Sequence, residues 1–131
     1  MNREIKFRAW DKERRKILTS EFPDEEEFYI SSNGEIKYLI EKGLYDTHIS
    51  KEFREDWVLM QFTGLKDKKE KDIYEGDILK FNNKLFKIEF SHGSYFGRQI
   101  NANLYGPYID GEVFCLSSII GNIYETPVLL K

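Results

Sequence analysis

The chain reads as an α+β, strand-rich domain: a small twisted sheet or partly closed barrel carrying one or two short helices. Two features carry that expectation. Apolar residues alternate with polar ones over short stretches in both halves of the chain, as in half-buried strands, and turn-forming Gly and Asn punctuate those stretches at short intervals. Aromatics make up 15% of the residues, with Phe and Tyr far outnumbering Trp, a composition that favours packed strands over a disordered polymer.

The first element is expected over residues 4–10, where Ile5, Phe7 and Ala9 share one face and Glu4, Lys6 and Arg8 the other. The polar run at 11–16 then joins it to Ile17-Leu18-Thr19 as a hairpin, with Arg14, Arg15 and Lys16 in or beside the turn. Between residues 21 and 56 the alternation weakens. Asp24 and the glutamates after it fit either a helix N-terminus, which carboxylates stabilise, or an acidic loop. A strand is expected over 35–40, and Ser50 reads as the cap of a short helix through Glu55.

The second half is more regular. Residues 57–63 read as a strand, 66–72 as a solvated turn alternating lysines with acids, and Gly76-Asp77 as a sharp reversal. Residues 78–81 and 85–90 form a hairpin across Asn82-Asn83, because asparagine tolerates left-handed backbone angles. That register turns Phe86, Ile88 and Phe90 toward the core. A long glycine- and aromatic-rich loop is expected over 91–111, and strands over 113–116 and 119–124, before Pro127 ends regular pairing.

One domain spanning 1–131 fits this length, with a peripheral insertion at 21–56. A net charge of −3 argues against a basic nucleic-acid footprint over the whole chain while leaving room for a local patch. The single cysteine, Cys115, makes no internal disulfide; it sits in an apolar run and reads as buried and inert, and no Cys/His spacing resembles a zinc site. With neither a signal-peptide run nor a membrane span in view, a cytoplasmic location is expected.

Three segments together resemble the YopX-like family of small phage and prophage proteins: REIKFRAWD at 3–11, QFTGLKD at 61–67 with IYEGDI at 73–78, and IGNIYE at 120–125. The family's central turn often reads Asp-Lys-Asn-Gly; here Asp67-Lys68-Lys69-Glu70 stands in its place. The resemblance implies a phage or prophage gene in a host cell, a compact mixed fold around a strand barrel, and self-association. It implies no established enzymatic activity and no agreed catalytic or ligand-binding residue to carry over, and no cofactor is expected.

The motif residues Gly64, Asp67, Tyr74, Gly76, Asp77 and Gly121 therefore read as structural. The glycines serve backbone geometry and the carboxylates cap turns. The sharper alternative is a divalent-metal site built from Asp67, Glu75 and Asp77. His48 and His92 are isolated loop histidines, and His92 beside Ser91 or Ser94 lacks triad geometry. The interaction candidates are Tyr95, Phe96, Arg98, Tyr105 and Tyr108, aromatics and a guanidinium suited to anchoring a protein interface or stacking on bases. A non-catalytic accessory protein acting through protein interaction or self-assembly is the expected function, with a nucleic-acid-binding module as the alternative and a metal-dependent hydrolase behind it.

Overall fold

The computed structural model describes residues 4–19, 26–30, 32, 36–40, 50–53, 57–102 and 106–131. Among the described residues the chain is mostly β: twelve strands, one four-residue α-helix and a terminal 3-10 turn. The strand-rich expectation holds, whereas the helical share is smaller than α+β implied. Two compact units are present, residues 7–59 and residues 1–6 with 60–131.

In the first unit, β1 (Phe7–Asp11) pairs antiparallel with β2 (Lys16–Thr19), as the alternation of the N-terminal segment predicts. Asp11 closes the turn. Its buried carboxylate accepts the amides of Glu13 and Arg14 at 3.0 and 3.1 Å and the Arg14 Nε at 2.6 Å. Burial alone would push that carboxyl up, but the bonds to Arg14 and Glu13 outweigh it and hold the pKa below the ordinary value. Ala9 and Trp57 are buried together, with Leu18 and Leu59 against them.

The same unit contains β3 (Glu26–Ile30), β4 (Ile36–Ile40) and β5 (Ser50–Phe53), an antiparallel sheet in the order β3-β4-β5. The strand expected over 35–40 is present. Two readings are corrected here. Ser50 begins a strand rather than capping a helix, because residues 50–53 pair along β4 from Ile40 to Lys37 and ladder bonds override a weak local cap. Glu26 and Glu27 likewise lie in a strand, not in a helix's first turn. Asp24 and His48 lie outside the described residues.

β6 (Trp57–Lys66) carries the chain into the second unit, where β7 (Asp72–Tyr74) pairs with it. Next come β8 (Asp77–Phe81), β9 (Lys84–Ser91), β10 (Ser94–Gln99), β11 (Tyr108–Ile109), α1 (Gly111–Phe114) and β12 (Ser118–Asn122). The antiparallel sheet runs β11-β10-β9-β8-β12. Its core cluster is Ile73, Leu79, Phe86, Ile88, Ile109 and Phe114. Asn82 and Asn83 take φ of 50° and 63°, so the β8–β9 turn is the two-residue type whose twist matches the strands.

Five expectations fail in this unit. The loop over 91–111 is interrupted by a second two-residue hairpin, with His92 and Gly93 at φ of 53° and 83°, which creates β10. The strand expected over 113–116 is replaced at 113–114 by the end of a helix over 111–114, because Asp110 accepts the Glu112 amide and starts a turn. Cys115 follows that helix on the exposed side, its Sγ against the Glu112 carbonyl at 3.4 Å. Phe90 shares a face with Phe86 and Ile88 but stands past the end of the core, 54% exposed against the Tyr95 ring. Ile5 too is exposed, since β1 starts only at Phe7. No helix among the described residues is long and apolar enough to cross a membrane.

Candidate functional site

The conspicuous carboxylates of the central motif are spent on backbone amides. Asp67 is buried; its Oδ1 accepts the amides of Lys69 and Lys71 at 2.8 and 2.9 Å, and its Oδ2 accepts that of Ile119 at 3.0 Å. One side chain thus ties the lysine turn to β12, reinforced by the Lys68 amide on the Ser117 carbonyl at 2.9 Å. Burial would raise this carboxyl, but the three amides overcome it and its pKa lies below the ordinary range. Asp77, fully buried, accepts the Tyr74 amide at 2.8 Å, and Glu75 accepts that of Gln61 at 3.0 Å.

Asp67, Glu75 and Asp77 therefore serve three separate stretches of backbone. Among the described residues no group of three His, Cys, Asp or Glu side chains is placed to hold a metal. Gly76 takes φ of 84° between the Ile88 carbonyl and the Ile123 amide, with Met60 and Tyr124 crowding the space a Cβ would fill. Gly64 lies in β6 at positive φ, and Gly121 at the β-bulge where β12 shifts register on β8. Tyr74 is buried, its ring 5.7 Å from that of Phe62. Glu70 adopts the left-handed φ of 62° that glycine favours.

Ser91 Oγ and His92 Nδ1 lie 2.8 Å apart, but both stand in the exposed β9–β10 turn.

The interaction candidates divide by strand parity. Phe96 pairs with Glu89, and Arg98 with both Lys87 and Tyr108, so these side chains share the outer face of the sheet. Tyr95 points to the other face, toward the core and Phe90. Tyr105 lies outside the described residues. The structure thus brings Phe96, Arg98 and Tyr108 together and separates Tyr95 from them.

On that outer face the Phe96 and Tyr108 rings meet edge to face at 6.1 Å, and the Arg98 guanidinium lies 5.6 Å from the Phe96 centroid. Glu89, which the sequence places with Lys87 opposite the core face of β9 but does not single out, organises the group: its Oε1 lies 2.9 Å from Lys87 Nζ and its Oε2 2.9 Å from Arg98 Nε. Burial would raise Glu89, but Lys87 and Arg98 outweigh it and keep the carboxyl below its usual range. Its signal in the sequence was period-2 alternation, which puts Lys87 and Glu89 on one face once β9 is recognised. Beside these residues is a hollow of about 160 Å³ lined by Phe96, Arg98, Ala102, Gly106, Pro107 and Tyr108. Tyr108 at its rim is 70% exposed.

The lysine-rich turn is elsewhere. Asp67 anchors it to β12, at the opposite edge of the sheet from β11.

The family model described as YopX protein matches residues 6–131. Among solved structures, protein EF1440 from Enterococcus faecalis is 26% identical, with a TM-score of 0.63, and the alignment covers 99% of this chain and 100% of that one. Protein yopX from Bacillus subtilis superposes with a TM-score of 0.64 at 20% identity, over 96% of this chain and 98% of its own. Among curated proteins none matches the chain.

Proposed function

Because this chain belongs to the YopX family, we propose that it is a phage- or prophage-encoded accessory protein that works in the host cytoplasm by binding proteins, other copies of itself included, and catalyses no reaction. One observation carries this reading: Phe96, Arg98 and Tyr108 converge on an exposed sheet face beside a hollow. An exposed Tyr108 and a half-buried Phe96 clustered with arginine have the composition of interface anchors. The acidic residues most suggestive of chemistry are occupied in holding turns, which favours a binding role over a hydrolytic one. In this reading the five-stranded sheet is one wall of a partly closed barrel and presents the face.

Nucleic acid is the second reading. It draws on the positive charge of the same face, where register puts Lys80, Lys87 and Arg98 with the carboxylate of Glu89 among the described residues. Capture of the tagged protein from phage-carrying cells, with and without nuclease, separates the two. A protein retained after nuclease treatment and lost in Arg98→Glu supports the first; recovery only of nuclease-sensitive DNA or RNA refutes it.

A further inference from the structure

The chemistry of the face narrows the kind of partner it fits. We propose that the outer face of β9, β10 and β11 receives an acidic peptide segment, its carboxylate held by Arg98 and Lys87 and a neighbouring apolar side chain seated in the hollow beside Tyr108. This rests on the protein-binding reading above.

Charge complementarity is the first support. Register puts Lys80, Lys87 and Arg98 on one face with Glu89, a surplus of two positive charges in a chain whose net charge is −3. Two copies meeting through this same face would oppose like charges, so a face-to-face dimer is disfavoured. An acidic segment is attracted to it.

Geometry is the second. Glu89 already shows how a carboxylate is received here, one oxygen on Lys87 Nζ and the other on Arg98 Nε, both at 2.9 Å. A guanidinium has five N–H donors, and among the described residues Glu89 engages only the Nε edge of Arg98. The Nη edge is left to donate to a second carboxylate in the paired geometry arginine favours. Arg98 is about half exposed, so its existing ion pair holds it in place at little energetic cost to recruitment.

The aromatics favour a peptide over a nucleic acid. Phe96 and Tyr108 meet at 80°, and the Phe96 ring has Arg98 over it, so the two rings offer no parallel platform for successive bases. A single proline or aliphatic side chain fits a hollow of about 160 Å³, whose Gly106 adds no side chain to the rim.

The test is selection of a random dodecapeptide display library on the intact protein and on a Lys87→Glu/Arg98→Glu variant, with thermal melts verifying that both are folded. Expected on the native protein is enrichment of Asp and Glu beside Pro or an aliphatic residue, and on the variant a swing to Lys and Arg. By fluorescence anisotropy the best selected peptide then binds Arg98→Ala about tenfold more weakly. Arg98→Lys recovers only part of that loss, because lysine cannot form the paired contact. Peptides without acidic bias, an identical set on both proteins, or tighter binding of oligothymidylate than of the selected peptide overturns the proposal. If the acidic bias is absent while cellular capture still depends on Arg98, the partner chemistry falls and the protein-binding reading stands; if both fail, both fall.

Discussion

Replacing Asp67 with alanine tests the claim that the central acidic motif is architectural. The substitution removes three hydrogen bonds from backbone amides to a carboxylate that is 4% exposed. Each bond to a charged acceptor contributes about 1.5–3 kcal/mol, and the three are not additive because they share one side chain. The Lys69 and Lys71 amides lie in a turn where water replaces part of the loss. The Ile119 amide lies in β12 and recovers less, which gives a total of about 3–4 kcal/mol. With an unfolding entropy of about 2.1 cal/mol/K per residue over 131 residues, that lowers Tm by about 10–14 °C. Asp67→Asn keeps one acceptor oxygen but turns an NH₂ toward one of the amides, so it falls between native and alanine. Calorimetry gives the Tm, and hydrogen exchange followed at Ile119 shows whether the loss is local to the tie. A drop below about 3 °C with unchanged Ile119 protection would refute the reasoning, as would a marked rise in the native Tm on adding Mg²⁺, the mark of a metal site.

Three further outcomes follow from the same geometry. Glu70→Gly relieves a left-handed backbone and raises Tm by about 3–4 °C, an effect of about 1 kcal/mol; an unchanged or lower Tm contradicts it. Gly97→Ala drives a Cβ to 2.6 Å from Ile109 Cγ1 and 3.1 Å from Phe86 Cβ, costing about 1–3 kcal/mol by chemical denaturation and loosening β11, where Tyr108 sits. Acid unfolding has a defined sign. Asp67 and Glu89 have folded pKa values below their ordinary 3.8 and 4.5, so their contribution is fully present above those values and is lost as pH falls through the lower folded ones. Tm measured against pH should decline on that acid limb, and Asp67→Ala should flatten it.

What was legible in the sequence was what local chemistry controls. Asn82-Asn83 announced its hairpin because few residues accept two successive left-handed positions. Gly76 announced a reversal, and the alternation of 84–90 announced β9. The second hairpin escaped because only Gly93 of the His92-Gly93 pair is a strong turn former and the residues after it are aromatic and glycine-rich. α1 escaped because its apolar Val113 and Phe114 look extended, while its start rests on one cap, Asp110. Cys115 appeared buried by its apolar neighbours, and a helix turn then faced it outward. At the candidate site, residue type singled out Phe96, Arg98 and Tyr108, but only strand parity could set Tyr95 apart from them and bring in Glu89. Parity along β9 was readable, but that of β10 and β11 was not while 91–111 was taken as a loop. The distance between the lysine turn and the aromatic face depends on sheet order, to which local sequence is blind.

The most direct measurement is hydrogen–deuterium exchange on the protein alone and bound to whatever it captures from phage-carrying cells. Added protection concentrated on β9, β10 and β11, with the Lys66–Lys71 turn unchanged, is the predicted result. Protection centred on the lysine turn, or a bound state that leaves Phe96, Arg98 and Tyr108 exchanging as in the free protein, would contradict it.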